Sequence, residues 1–305
     1  MLQYSGVIFL RNFWGAVCLS SASAIWGGMY VVSKYVLDYI PPMTLVNIRM
    51  VIATLVLWLV LWWSGEKRIA VKDFKEIALI GLIGFTISIG SQFMGTKLST
   101  ASLGAIVTST SPSFMVLFAW LINKERASAA QIIGLVLATI GVLIIAGMGW
   151  YTNTEATLTG ILFLLIAAIT WALYTMLCKH TADRYSSLAV TCYAAMFGTL
   201  FTFPITLWEL SNHPAFFGDL RIVAGILYLG IVSTALAFYL WNKGFILVPA
   251  GTAAVYFFLQ PVFGAVLGWG FLGERMTLAT LGGAGIILLG VVYSTLVVER
   301  IKLIK

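Results

Sequence analysis

Side chains able to do acid–base, metal or redox chemistry are few in this 305-residue chain, and they are poorly placed for it. The acids are Asp38, Glu66, Asp73, Glu76, Glu125, Glu155, Asp183, Glu209, Asp219, Glu274 and Glu299, and each falls between apolar stretches or near the end of one. A proton-driven pump for cations commonly needs an acid in the middle of such a stretch, as relay and counter-ion. That mechanism is therefore disfavoured. His180 and His213 also lie near ends, while Cys18, Cys178 and Cys192 sit inside apolar runs with no CxxC or HExxH spacing nearby. Three cysteines at such depths make no disulfide framework. No metal, no cofactor and no enzymatic reaction are expected.

Recognition chemistry remains. Trp26 and Tyr30 are four apart, and Trp171 and Tyr174 three apart, so each pair shares a helix face. Gln92 follows Ser88 by four, Gln260 follows Tyr256 by four, and Asn242 follows Tyr239 by three. A buried amide needs hydrogen-bond partners, so these faces should point inward. The candidate solute-binding residues are Trp26, Tyr30, Gln92, Trp171, Tyr174, Tyr239, Tyr256 and Gln260. Taken singly, a Trp or Tyr is more often a membrane-interface anchor or a core filler than a solute contact. Replacing Trp26 or Gln260 by Ala is expected to change affinity without unfolding the protein. Lys34, Arg49 and Lys179 are the ionisable groups inside apolar stretches, near their ends, where long side chains snorkel to water. A cavity of amides, hydroxyls and aromatic rings suits a small neutral or zwitterionic solute with an apolar part.

These residues are carried by very apolar elements. Apolar types make up 61% of the chain and charged types 10%, against about 25% charged in soluble proteins. Ten runs long enough to cross a bilayer can be marked: 13–37, 43–63, 76–96, 101–122, 128–147, 159–179, 187–208, 221–242, 250–272 and 278–297. Unbroken apolar runs, without period-two alternation, predict helices and exclude a barrel. The first run reads as a retained span, not a signal peptide. On one side of the membrane the loops hold only Lys97, Arg221 and Arg275, and most other basic residues collect on the side of the termini. The positive-inside rule then places both termini in the cytoplasm of a multi-pass inner (cell) membrane protein. The net charge of +7 has the same origin and calls for no nucleic-acid partner.

The chain also repeats itself. An offset of 149 matches Ala105 to Ala254, Pro112 to Pro261, Trp120 to Trp269, Glu125-Arg126 to Glu274-Arg275, and Gly141-Val142 to Gly290-Val291. In the first run an offset of 145 matches Trp26 to Trp171, Lys34 to Lys179 and Asp38 to Asp183. Two units follow, 1–150 and 151–305. Five spans each is an odd number, so the second unit is inverted relative to the first. Inverted repeats around a midplane site are a recurring construction of transporters that work by alternating access. Pro112 and Pro261 fall in mid-span, where proline frees the carbonyl four residues earlier, here Thr108 and Phe257. They are expected to kink the helix or take part in gating. Gly264 with Gly268, Ala101 with Ala105, and Gly134 with Ala138 read as small-residue packing seams, of a scaffold or of a homodimer face.

The segment LGIVSTALAFYLWNKGFILVPAGTAAVYFFLQPVFGAVLGWGFLGERMTLATLGGAGIILLGVV, with its weaker partner TKLSTASLGAIVTSTSPSFMVLFAWLINKERASAAQIIGLVLATIGVLII, resembles the EamA module of the drug/metabolite transporter superfamily. WGGMYVVSK, and Arg49 within NIRMVIATL, resemble the first two helices of that module. The resemblance covers nearly the whole chain and implies an all-α polytopic membrane protein of ten transmembrane helices. It further implies a carrier of small metabolites, often an exporter of amino acids or related compounds. Asn123-Lys124-Glu125 departs from the usual LGE at the end of the fourth helix. Alternatives within transport are phosphorylated or nucleotide-linked sugars, which need a basic cluster at depth, and broad drug efflux. A membrane enzyme or scaffold is the remaining class. The expected partners are a small-molecule solute and the lipid bilayer.

Overall fold

The computed structural model describes residues 2–99, 101–147, 158–272 and 278–304, and every regular element among them is a helix. In chain order these are α1 Leu2–Leu37, α2 Pro42–Ser64, α3 Val71–Lys97, and α4, split into α4a Ala101–Thr108 and α4b Ser111–Asn123. Next come α5 Ala129–Gly147, α6 Leu158–His180, α7 Ser187–Asn212 and α8 Leu220–Leu247. The last are α9, split into α9a Ala250–Tyr256 and α9b Leu259–Leu272, and α10 Leu278–Ile304. Six of these (α1, α2, α3, α6, α7 and α8) are long and apolar enough to cross a bilayer, and shorter apolar helices occupy the other four places. Leu55, Leu59, Leu143, Leu200 and Leu289 are exposed while Ser23, Arg49, Thr202, Ser233 and Thr234 are wholly buried. Apolar outside and polar within is the arrangement a lipid solvent selects.

Several helices outrun their apolar stretches. The first begins at Leu2 instead of residue 13, and α7, α8 and α10 run on to Asn212, Leu247 and Ile304. Charge marks where the apolar run ends, but intrahelical hydrogen bonds continue past it. A larger difference concerns the fourth and ninth spans, which are broken, not merely bent. Pro112 stands in the first turn of α4b, and Pro261 is the third residue of α9b. The two carbonyls that proline frees are taken locally: Ser111 Oγ donates to Thr108 O at 2.7 Å, and Gln260 N–H donates to Phe257 O at 3.2 Å. Pro204, by contrast, lies inside the continuous α7.

The contacts follow the repeat. Each of α5 and α2 packs on its own counterpart, α10 and α7; the α1–α8 pair recurs as α6–α3, and α1–α9b recurs as α6–α4b. At the α1–α8 crossing a Cβ on Gly244 would lie 2.9 Å from Gly15 O, and at α6–α3 a Cβ on Gly95 would lie 2.9 Å from Gly160 O. The same close approach is thus built twice. Along α5–α10, a Cβ on Gly134 or on Gly290 would fall 2.7 Å from the other's carbonyl oxygen. The Gly134/Ala138 seam is therefore filled within the chain, by α10. The surroundings of Ala101 and Gly268, residues 273–277 with Glu274 and Arg275, and the 150/151 boundary lie outside the described residues.

Both third helices also carry a feature with no clear mark in the sequence. Leu82–Ser88 of α3 and Tyr228–Leu236 of α8 are π-helical, at corresponding places in the two halves. Such turns are rare and recur at functional sites.

Candidate functional site

The helix breaks of α4 and α9 and the end of the α3 π-turn contribute to the walls of one cavity, and the α8 π-turn adjoins it through Ser233, whose carbonyl accepts from Trp26. Its walls are Trp26 and Met29 of α1, Arg49 of α2, Ser88, Ile89 and Gln92 of α3, and Thr108 and Ser111 at the α4 break. The other half supplies Ala167 and Trp171 of α6, Phe238 of α8, and Phe257 and Gln260 at the α9 break. Space for water-sized molecules in it is about 30 Å3, and one water needs roughly 10–15 Å3 by that measure. The cavity is narrow, with room for about two or three waters.

Repeat-related positions have diverged in a consistent direction. At the offset of 149, Ile89 corresponds to Phe238, Gln92 to Trp241, Thr108 to Phe257 and Ser111 to Gln260. The first half thus contributes mainly hydroxyls and an amide, and the second half mainly rings. Trp26 and Trp171, themselves counterparts, meet edge to face with centroids 5.1 Å apart. Phe238 packs at 5.5 Å from Trp26 and 5.1 Å from Trp171, and Phe257 at 6.3 Å from both. Each such pair adds about 0.5–1.5 kcal/mol beyond area burial. The symmetry is broken at the indole nitrogens. Trp26 Nε1 donates to Ser233 O at 2.9 Å, whereas Trp171 Nε1 is buried without an acceptor.

Of the eight residues expected to bind solute, Trp26, Gln92, Trp171 and Gln260 line the cavity. Tyr30 stands behind it in a hydrogen-bond chain: Gln92 Nε2 donates to Tyr30 Oη at 2.8 Å, and Tyr30 Oη lies 2.6 Å from Thr108 Oγ1. Thr108 Oγ1 in turn donates to Gly104 O at 2.6 Å. Tyr174 lies one layer further out, its ring 5.1 Å from that of Trp171 and its hydroxyl accepting from Asn242 Nδ2 at 2.7 Å. Tyr256 is buried one turn from the cavity, where its carbonyl accepts from Ser23 Oγ at 2.9 Å. Tyr239 is turned away; its hydroxyl accepts from Lys243 Nζ at 3.1 Å. A spacing of three put Tyr239 and Asn242 on one face, but that face is wide enough for only Asn242 to reach inward.

Arg49 is the residue that sequence reasoning misplaced. It does not snorkel: it sits about 10 Å along α2 at ~1.5 Å per residue and is 0% exposed. Its Nε donates to Thr234 Oγ1 at 2.7 Å and Nη2 to Ser233 Oγ at 3.4 Å, both in the α8 π-turn. The Thr234 hydroxyl donates back to Leu229 O, five residues earlier, at 2.6 Å, closing that turn. The guanidinium lies 4.8 Å from the centre of Phe93, and among the described residues Nη1 meets only the Met29 sulfur, at 3.9 Å. None of the ion pairs among the described residues includes it. The other two lysines are occupied outside the cavity: Lys34 donates to Ser99 O at 2.8 Å, and Lys179 pairs with Glu125 at 2.8 Å. Lys179 also donates to Val248 O, the counterpart of Ser99, at 3.3 Å. Glu125 accepts from Ala250 N at the start of α9a as well. That is a structural use for the one residue of Asn123-Lys124-Glu125 that keeps the usual motif.

Among the described residues no three of His, Cys, Asp and Glu come together as metal ligands would. The arrangement offers donors, rings and one buried cation, groups suited to binding a small solute. Ten apolar helices in two corresponding halves, with the fourth and ninth broken beside a polar and aromatic cavity, define a multi-pass membrane transporter fold. The chain belongs to the EamA-like transporter family, whose model matches residues 13–147 and again residues 158–296. It is similar to the uncharacterized transporter YetK of Bacillus subtilis (strain 168), 29% identical over 266 residues, 86% of this chain and 81% of that one. An uncharacterized transporter of Archaeoglobus fulgidus is 29% identical over 280 residues, 91% of this chain and 95% of its own. One crystal structure, 18% identical, shares the fold with a TM-score of 0.79 over 94% of this chain and 98% of that one.

Proposed function

We propose that the protein is a secondary transporter of the inner membrane, with both termini cytoplasmic, that exports amino acids or related small neutral or zwitterionic metabolites. The observation that carries this reading is the cavity itself: aromatic rings beside amide and hydroxyl groups, contributed by both of two halves that correspond by sequence. A solute with a polar head and an apolar part matches those walls. The two units, 1–150 and 151–305, exchange their conformations and so expose the cavity to each side in turn. Sugar phosphates fit less well, since a phosphate calls for several cations and, among the described residues, Arg49 is the one cation facing the cavity.

Counterflow of labelled amino acids into liposomes holding folded protein tests the proposal. Saturable uptake against excess internal solute is expected. No saturable flux across a broad panel would sink it.

A further inference from the structure

The cavity is rich in donors that have nothing to donate to. Trp171 Nε1 and Gln260 Nε2 are buried without an acceptor, their residues only 7% and 5% exposed, and Arg49 Nη1 has only a thioether sulfur. All three side chains line the same small space. Hydroxyls there are already spent on backbone, Ser88 Oγ on Ala167 O at 3.0 Å and Ser111 Oγ on Thr108 O at 2.7 Å. Buried donors are normally satisfied, and a buried guanidinium without an anion is expensive to keep. What the cavity lacks is an acceptor carrying negative charge.

Resting on the transport reading above, we propose that a carboxylate of the solute supplies it. The guanidinium fork of Arg49 receives that carboxylate, a geometry it matches in bidentate fashion. Gln260 and Trp171 donate to the same end of the molecule, and the apolar part lies against Trp26, Phe238 and Phe257. The substrates are then small carboxylates, amino acids among them, and the free carboxylate is required while the amino group is not. A site built around a hydrogen-bonding group rejects the analogue that lacks it far more strongly than it rejects a change of apolar size.

Thermal unfolding of the detergent-purified full-length protein is followed with the twenty common amino acids and a set of aliphatic and aromatic monocarboxylates, each beside its carboxamide. Any stabilising compound is then taken to counterflow. At least one acid is expected to stabilise and exchange, with its amide at least tenfold weaker in both. Arg49→Gln should lose that preference and Arg49→Lys should keep part of it. If Arg49→Gln does not fold, the acid-against-amide comparison on the unaltered protein still decides. An amide as effective as its acid, or counterflow confined to solutes without a carboxylate, overturns the inference and leaves transport intact. No counterflow with any solute overturns both.

Discussion

Gln260 shows what a binding site costs its own fold. A buried amide nitrogen without an acceptor forfeits about 1–3 kcal/mol. Gln260→Leu should therefore leave the unfolding temperature unchanged or raise it, while solute exchange falls at least tenfold; a coupled loss of both would make Gln260 a packing residue. Trp26 behaves in the opposite way. Its ring is 4% exposed and touches Trp171, Phe238, Trp241 and Phe257, so Trp26→Ala should destabilise by about 3–5 kcal/mol, measured by thermal or denaturant unfolding. The sequence alone made that substitution a probe of affinity; its packing makes it a probe of folding. Spacing and the repeat both mark Trp26 and Trp171, and spacing alone marks Gln92 and Gln260, as inward-facing. Arg49 was not legible in this way. Whether a shallow arginine snorkels depends on what covers it, and here α8 and Phe93 do so from distant parts of the chain.

Helices were legible from apolar runs, and the sites of the two breaks from Pro112 and Pro261. The form of the breaks was not, because each depends on who accepts the freed hydrogen bonds. Ser111→Ala leaves the Thr108 carbonyl without its donor, at an expected cost of about 1–3 kcal/mol, read as a lower unfolding temperature. Replacing Pro261 by Ala allows α9 to run on as one helix, and should slow exchange between the two openings; unchanged turnover would reduce the break to a passive kink. The π-turns left still less trace. In α3 the ring of Tyr174 lies where a Cβ on Gly84 would stand, 2.1 Å from its Cδ2, so α6 helps shape that turn and nothing in Leu82–Ser88 alone announces it. On the α5–α10 seam Gly134→Val forces a side chain to within 2.7 Å of Gly290 O, and overpacking of this kind costs about 1–3 kcal/mol. Thermal unfolding should register that loss, and no loss would mean that the two helices are free to separate.

At the scale of the molecule, duplication explains more than composition does. Two family matches, at 13–147 and 158–296, coincide with the two sets of five spans, and the contacts α1–α8 and α6–α3 repeat across the pair. The halves have diverged where they meet, Ile89 against Phe238, Thr108 against Phe257 and Ser111 against Gln260, so they contribute unlike side chains to a shared cavity. The central claim is that solute crosses through this cavity. The most direct test is counterflow in liposomes by Gln92→Cys, before and after a bulky methanethiosulfonate reagent, with Leu55→Cys on the lipid-facing surface as control. Modification at position 92 is predicted to abolish saturable counterflow and modification at position 55 to leave it intact; counterflow that persists with the cavity blocked would contradict the account.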